Sequence, residues 1–241
     1  MMAHRDQRPL SEMPFWISLL LVLSLALQIF WYGMHQPAEI HTEPLPEAPN
    51  KQILEVLSFG EPEILSRILM LWLQAFDNQP GVSLPFTRLD YADLTNWLQV
   101  ISDLDPNSQY PFFSASHLYT QIDNRDQQIK MLNFIHHNFL LKPNKRWRWM
   151  AHATIFAQHR LNDVDLATDY AGLLRKNAIG RDVPHWAQQM EITLLEVRGE
   201  YQSASLFIGG LLDSKHITDP HELVFLNQRL KSIRKKSLNT K

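Results

Sequence analysis

Apolar residues are distributed along this chain in two different ways. Near the start they are contiguous: Pro14-Phe-Trp-Ile-Ser-Leu-Leu-Leu-Val-Leu-Ser-Leu-Ala-Leu-Gln-Ile-Phe-Trp-Tyr-Gly33 carries no formal charge. A helix of about 20 residues rising 1.5 Å each covers roughly 30 Å, the thickness of a bilayer's hydrocarbon core. Trp16 at one end and Trp31 and Tyr32 at the other suit the two membrane interfaces. From about Lys51 onward the apolar residues recur instead at steps of three and four, the spacing of amphipathic helices packed on one side.

The second regime predicts a series of helices separated by proline and Asp/Asn signals. Pro62 opens a helix carrying Ile64, Leu65, Ile68, Leu69, Trp72, Leu73 and Phe76, which ends in the turn Asp77-Asn-Gln-Pro-Gly81. Asp90 caps a second, which stops at Pro106, and Pro111 opens a third that runs through Tyr119. A fourth holds Ile129 to Phe139, a fifth Trp149 to Ala157, a sixth Val164 to Leu174, and a seventh, opened by Pro184, Trp186 to Val197. An eighth spans Tyr201 to Leu211, and Asp219-Pro220 caps a last one ending in Arg234-Lys-Lys236. No alternation of strand type has convincing length.

Between the two regimes lies HQPAEIHTEPLPEAPN, residues 35–50, with four prolines. Such a stretch has few large apolar residues and reads as a semi-extended spacer. The expected organisation is a short cytoplasmic N-terminus (1–13), a transmembrane helix (14–34), a Pro/Glu-rich linker (35–51), a helical domain (52–236) and a basic tail (237–241). Arg5 and Arg8 precede the span, whereas Met34 to Asn50 contains Glu39, Glu43 and Glu47 and no Lys or Arg. The positive-inside rule then places the N-terminus in the cytoplasm and the helical domain beyond a single-pass inner membrane. A cleaved signal peptide competes with a permanent anchor, but the apolar core is long and Phe-Trp-Tyr-Gly-Met-His follows it, a poor peptidase site.

The helical region is self-similar. Leu104-Asp-Pro-Asn107 recurs 37 residues on as Leu141-Lys-Pro-Asn144. The same step carries Trp97 to Phe134, Leu98 to Ile135, Trp149 to Trp186, Ala153 to Met190, Ala167 to Ala204, Tyr170 to Phe207 and Leu174 to Leu211. A fixed period containing two helices and a turn is the sequence mark of a helical solenoid, whose units bury their apolar faces only by stacking on their neighbours. Trp149 with Ala153 in a first helix, Ala167 and Ala204 in second helices, and the Gly199-Glu-Tyr201 turn together resemble the tetratricopeptide repeat, over roughly Pro62 to Leu212. The family's period is 34 and this one is 37; the fourth helix has Met131 or Leu132 where a small residue is expected, and Ala178-Ile-Gly180 stands where a proline closes a repeat. The resemblance implies an all-α fold: a right-handed α-solenoid of about four helix pairs with a C-terminal capping helix, behind the transmembrane helix. An irregular helical bundle remains the competing architecture.

Composition narrows the chemistry. The formal net charge is −2, so the basic excess of a nucleic-acid binder is absent, and with no cysteine, disulfides, zinc thiolates and thiol catalysis are excluded. Lys145-Arg-Trp-Arg-Trp149 interleaves basic and aromatic residues, but it reads best as repeat tryptophans flanked by solvated arginines. The C-terminal Lys231, Arg234, Lys235, Lys236 and Lys241 could touch anionic lipid or an acidic partner, but read better as a solvated helix end. The 11 histidines include no HExxH; His152 and His159 stand seven apart and could share a face. No phosphate loop and no G-x-S-x-G elbow occurs. Neither catalytic residue, cofactor nor metal is expected. The reading is a membrane-anchored protein–protein interaction scaffold or accessory subunit of a bacterial envelope assembly. By the resemblance, first helices line its groove, with Arg148, His152, His159, Gln189 and Glu196 as candidate partner contacts. An enzyme or ligand-binding protein on a helical bundle, or a structural subunit pairing through its membrane helix, are the alternatives.

Overall fold

Local caps divide the polypeptide into helices much as its sequence suggests. The computed structural model describes residues 14–34, 43–79, 82–213, 217 and 219–239. The expected cytoplasmic segment with Arg5 and Arg8, the first half of the linker and the last two residues lie outside these. The fold is all-α apart from one two-residue antiparallel pairing of β1 (Asn78–Gln79) with β2 (Val82–Ser83). That pairing closes the turn expected after the first domain helix.

The chain forms two compact units, 1–42 and 43–241. Within the first, α1 (Phe15–Met34) is a single helix, long and apolar enough to cross a membrane, with no residue buried.

The second unit contains α2 (Lys51–Leu57), α3 (Pro62–Ala75), α4 (Tyr91–Leu104), α5 (Tyr110–Ser114), α6 (Arg125–Leu141), α7 (Pro143–His159), α8 (Val164–Asn177), α9 (His185–Gln188), α10 (Met190–Val197), α11 (Tyr201–Asp213) and α12 (Pro220–Asn239). Side chains of Asn50, Asp90, Asn124 and Asp163 accept backbone N–H groups in the first turns of α2, α4, α6 and α8. Each satisfies a donor that has no intrahelical acceptor. Pro62 and Pro143 sit at the first positions of α3 and α7, where a missing N–H costs nothing.

Three boundaries differ from expectation. The third domain helix leaves α geometry after Ser114 and continues as a π turn over Ala115–Tyr119. The seventh breaks at Gln189 into α9 and α10, and the Ile192 N–H there bonds to the Gln189 carbonyl only three residues back. α12 runs on to Asn239, so residues 237–239 are helix rather than tail.

The linker's second half also departs from the spacer reading. Leu45 is 5% exposed and belongs to the core, with Ala48 packed beside it. The Gln79 side chain amide grips the Glu43 backbone twice, accepting its N–H at 3.0 Å and donating to its carbonyl at 2.9 Å. Trp97 Nε1 donates to the Pro46 carbonyl at 2.7 Å. Proline fixes φ and leaves carbonyls unpaired, so an extended Pro-Leu-Pro stretch is readily held by side-chain donors.

The principal helix contacts follow chain order: α3 on α4, α4 on α6, α6 on α7, α7 on α8, α8 on α10, α10 on α11 and α11 on α12. The α7–α8 pair is lined by the fully buried Ala153, Ala157, Ala167 and Ala171. Small side chains let the backbones approach. Two apolar cores result. The larger runs from Leu45 to Leu194, and the smaller gathers Ile192, Leu195, Ala204, Ile208, Ile217, Leu226, Leu230 and Ile233. α10 contributes to both.

Several hydrogen bonds between elements span 35 to 40 residues. Ser66 Oγ donates to the Ile101 carbonyl, Tyr110 OH to Gln74 Oε1, Arg125 Nη1 to the Leu161 carbonyl, Trp149 Nε1 to Gln109 Oε1 and Arg229 Nη2 to Thr193 Oγ1. These pairs are separated by 35, 36, 36, 40 and 36 residues. The asparagines of both Leu-x-Pro-Asn copies accept from the chain that follows, Asn107 Oδ1 from Lys145 Nζ at 2.9 Å and Asn144 Oδ1 from the Gly180 N–H at 2.8 Å.

Candidate binding surface

The surface richest in recognition chemistry is built from the third and fifth domain helices. α5 and its π turn present Tyr110, Phe113 and His117, and the adjoining α7 presents Trp149 and His152. Tyr110 stacks on Phe113 at 6.4 Å between ring centroids, and Phe113 stacks on His117 at 4.8 Å. Trp149 stands edge-on to both Phe113 and His117, at 6.2 and 6.1 Å. The His117 and His152 rings are 4.2 Å apart. Tyr110 and Phe113 keep 38% and 40% of their surface exposed, enough to offer ring faces to another molecule.

This row is held rigidly. Tyr110 OH and the Trp149 indole N–H are each fixed by a glutamine, Gln74 and Gln109, at 2.6 Å. Gln74 Nε2 in turn donates to Ser114 Oγ at 2.9 Å. His117 Nδ1 lies 2.7 Å from Ser116 Oγ. His152 Nδ1 is buried without a hydrogen-bond partner. Burial, and then the charge of His117, push the His152 pKa down to about 4, so its ring is neutral at pH 7.

Beneath the row lies a buried arginine. Arg146, expected in solvent, is 3% exposed. Its Nη1 donates to the Asn138 carbonyl at 2.7 Å and to Asn138 Oδ1 at 2.9 Å, and its guanidinium covers the Phe112 ring at 4.4 Å. Asn138 Nδ2 continues to Gln99 Oε1 at 2.8 Å. Burial lowers the Arg146 pKa, and the charge of Asp103 opposes that shift. Arginine is suited to such a place because its flat guanidinium stacks on a ring and is weakly hydrated.

The five residues expected to meet a partner divide. Arg148 is exposed, its guanidinium 5.3 Å from the Trp147 ring centroid. His152 belongs to the aromatic row. His159 is exposed at the end of α7, and it is His117, not His159, whose ring meets His152. Gln189 and Glu196 are engaged by the last helix: Gln189 Nε2 donates to Glu222 Oε1 at 2.7 Å, and Arg229 Nε donates to Glu196 Oε1 at 2.6 Å. Both bonds reach α12, and Gln189 also borders the cleft beside that helix. The periodic pattern marked them as lying off the apolar stripe but could not say that a following helix covers them.

Tyr110, Phe113 and His117 were not singled out, although their steps of three and four place them on one helical face. Phe113 also lies 36 residues before Trp149, close to the 37-residue step of the sequence.

Near α12, Gln158, Trp186, Gln189, Met190, Phe225 and Arg229 border a cleft of about 280 Å³. A second recess, of about 400 Å³, lies between α4 and α6 and is lined by polar side chains including Gln99, Lys130 and His137. Among the described residues, no group of three His, Cys, Asp or Glu side chains is placed to hold a metal ion. No family model, curated protein or solved structure matches the chain.

Proposed function

We propose that this chain is a single-pass, membrane-anchored interaction scaffold. Its helical domain stacks hairpins in series, in the manner of tetratricopeptide repeats, and holds an extended segment of a partner protein on the Tyr110–Phe113–His117–Trp149–His152 row. α1 is the anchor, with the N-terminus in the cytoplasm and the domain on the far side of an inner membrane, as an accessory subunit of an envelope assembly. The role is binding, not catalysis.

The observation that carries this reading is the lateral bonding that returns every 35 to 40 residues. Helices joined this way align the same face of successive units, and stacked hairpins expose such faces as one long surface. Rigid, half-exposed aromatic rings offer contact area at low entropic cost and are typical anchors at interfaces. The domain already holds an extended Pro-Leu-Pro stretch of its own chain, through Gln79 and Trp97. A partner segment of similar chemistry, extended and carrying proline or apolar side chains, fits the row in the same way.

Photo-crosslinking in intact cells tests this. A benzophenone amino acid in place of Phe113 is expected to trap one partner protein. Placed at Leu206, which is 75% exposed on α11, it is not. Trp149→Ala should abolish the Phe113 adduct while the folded domain persists. Equal labelling from both positions, or an adduct indifferent to Trp149→Ala, overturns the proposal.

A further inference from the structure

We propose that two copies of the chain pair side by side in the bilayer through the face of α1 that carries Ser24 and Gln28. This rests on the reading of α1 as a membrane anchor. The helix is apolar except for Ser18, Ser24 and Gln28. Its midpoint lies between Ser24 and Leu25, so Gln28 stands about 5 Å along the axis from the middle of the span, deep within the hydrocarbon.

A hydroxyl at that depth needs no second chain, because Ser24 Oγ donates to the Leu21 carbonyl of its own helix at 2.9 Å. A glutamine amide is different, having two donors and an acceptor at the end of a side chain that reaches away from the helix. Among the described residues, no hydrogen bond satisfies the Gln28 amide. In lipid, where water is absent, an unpaired amide is costly, and another helix is the available source of partners.

The surroundings of Gln28 are shaped to receive such a helix. Leu20, Leu23, Ser24, Leu27, Gln28 and Trp31 form a shallow recess, with the small Ser24 as its floor. Positions 20, 24, 28 and 31 follow steps of four, four and three, which puts Gln28 on the contact face and suits a right-handed crossing of two helices.

The occupant that fits is a second copy. Copies inserted in the same orientation are parallel, so a two-fold axis between them sets each Gln28 opposite its equivalent at the same depth. An amide is complementary to itself, each donating an N–H to the other's oxygen. A foreign helix would need a polar residue at that same depth.

The absence of cysteine makes the test direct. Single cysteines are placed in the full-length chain at Leu20, Ser24, Leu27 and Trp31, and on the opposite side at Val22, Leu25 and Ile29. Membranes are oxidised with copper phenanthroline, and in parallel washed with alkaline carbonate. Disulfide-linked homodimers are expected from the first group and not the second. Adding Gln28→Leu to the Leu27→Cys chain should lower the dimer yield by about three- to tenfold, the range that single hydrogen bonds contribute between membrane helices. Gln28→Asn should retain part of it. Three outcomes overturn the pairing: carbonate-resistant chain with no dimer, dimers without a face preference, or dimers unaffected by Gln28→Leu. An adduct to a different protein in place of the dimer does so as well. Chain released by carbonate overturns the anchor itself, which separates that failure from the others.

Discussion

The Asn144 side chain accepts the Gly180 N–H at 2.8 Å, and a Cβ built on Gly180 would stand 2.8 Å from Asn144 Cγ. A methyl group on Gly180 meets the Asn144 side chain, 36 residues earlier, unless that side chain moves.

Gly180→Ala is therefore expected to lower stability by about 0.5–1.5 kcal/mol, since the exposed Asn144 side chain must swing aside and give up its hydrogen bond. Gly209→Ala is a counterpart with the opposite sign. It lies within α11 with nothing within 4 Å of its Cβ position, so alanine should stabilise by about 0.5–1 kcal/mol through helix propensity. Urea unfolding of both variants checks the pair, and a neutral Gly180→Ala would remove the packing argument.

Acid should weaken the domain through His152. Its folded pKa is depressed to about 4 from an ordinary value of 6.5. The unfolded chain thus binds the proton first, and stability falls as pH drops from about 6.5 towards 4, with no contribution from this residue above that window. His152→Gln should flatten this part of the profile of urea midpoint against pH. An unchanged slope would mean that other groups govern acid sensitivity.

Removing the Arg146 guanidinium strands the Asn138 carbonyl and amide oxygens in the interior and leaves Phe112 uncovered. Arg146→Ala should cost about 2–4 kcal/mol, and Arg146→Lys should recover only part of it, because an ammonium cannot lie flat on the ring. Thermal melts of the two variants give the ordering directly.

The extended segment before α2 behaves as part of the domain. A chain beginning at Lys51 should be less stable than one beginning at Glu43, and Leu45→Ala alone should account for about 2–3 kcal/mol of that difference. Trp97→Phe keeps the ring and loses the N–H that holds Pro46, at a cost of about 1 kcal/mol. Equal midpoints for the two starting points would return residues 43–50 to a free spacer.

These effects also mark what the sequence could convey. Helix positions were legible because Asp90, Asn124, Asp163 and the prolines act locally, within one turn of the residues that they cap. The 37-residue step shows in the letters themselves, and both of its asparagines, Asn107 and Asn144, accept a hydrogen bond from the chain that follows. Long-range events were hidden. Nothing near Pro46 announces that Trp97, fifty-one residues later, will donate its indole N–H to the Pro46 carbonyl. Nothing near Arg146 distinguishes it from Arg148, yet one is buried under Phe112 and the other faces solvent. In the same way, Gln189 and Glu196 were visible as polar positions, while their capture by Glu222 and Arg229 depends on where α12 comes to rest.

α10 has one foot in each apolar centre, with Leu194 in the larger and Ile192 and Leu195 in the smaller. The last two helices can then melt as a separate foldon while everything from Leu45 to Leu174 stays intact. Such a partial opening would strip one side of α10 and free Gln189 and Glu196 together, turning a closed end of the domain into an adhesive one.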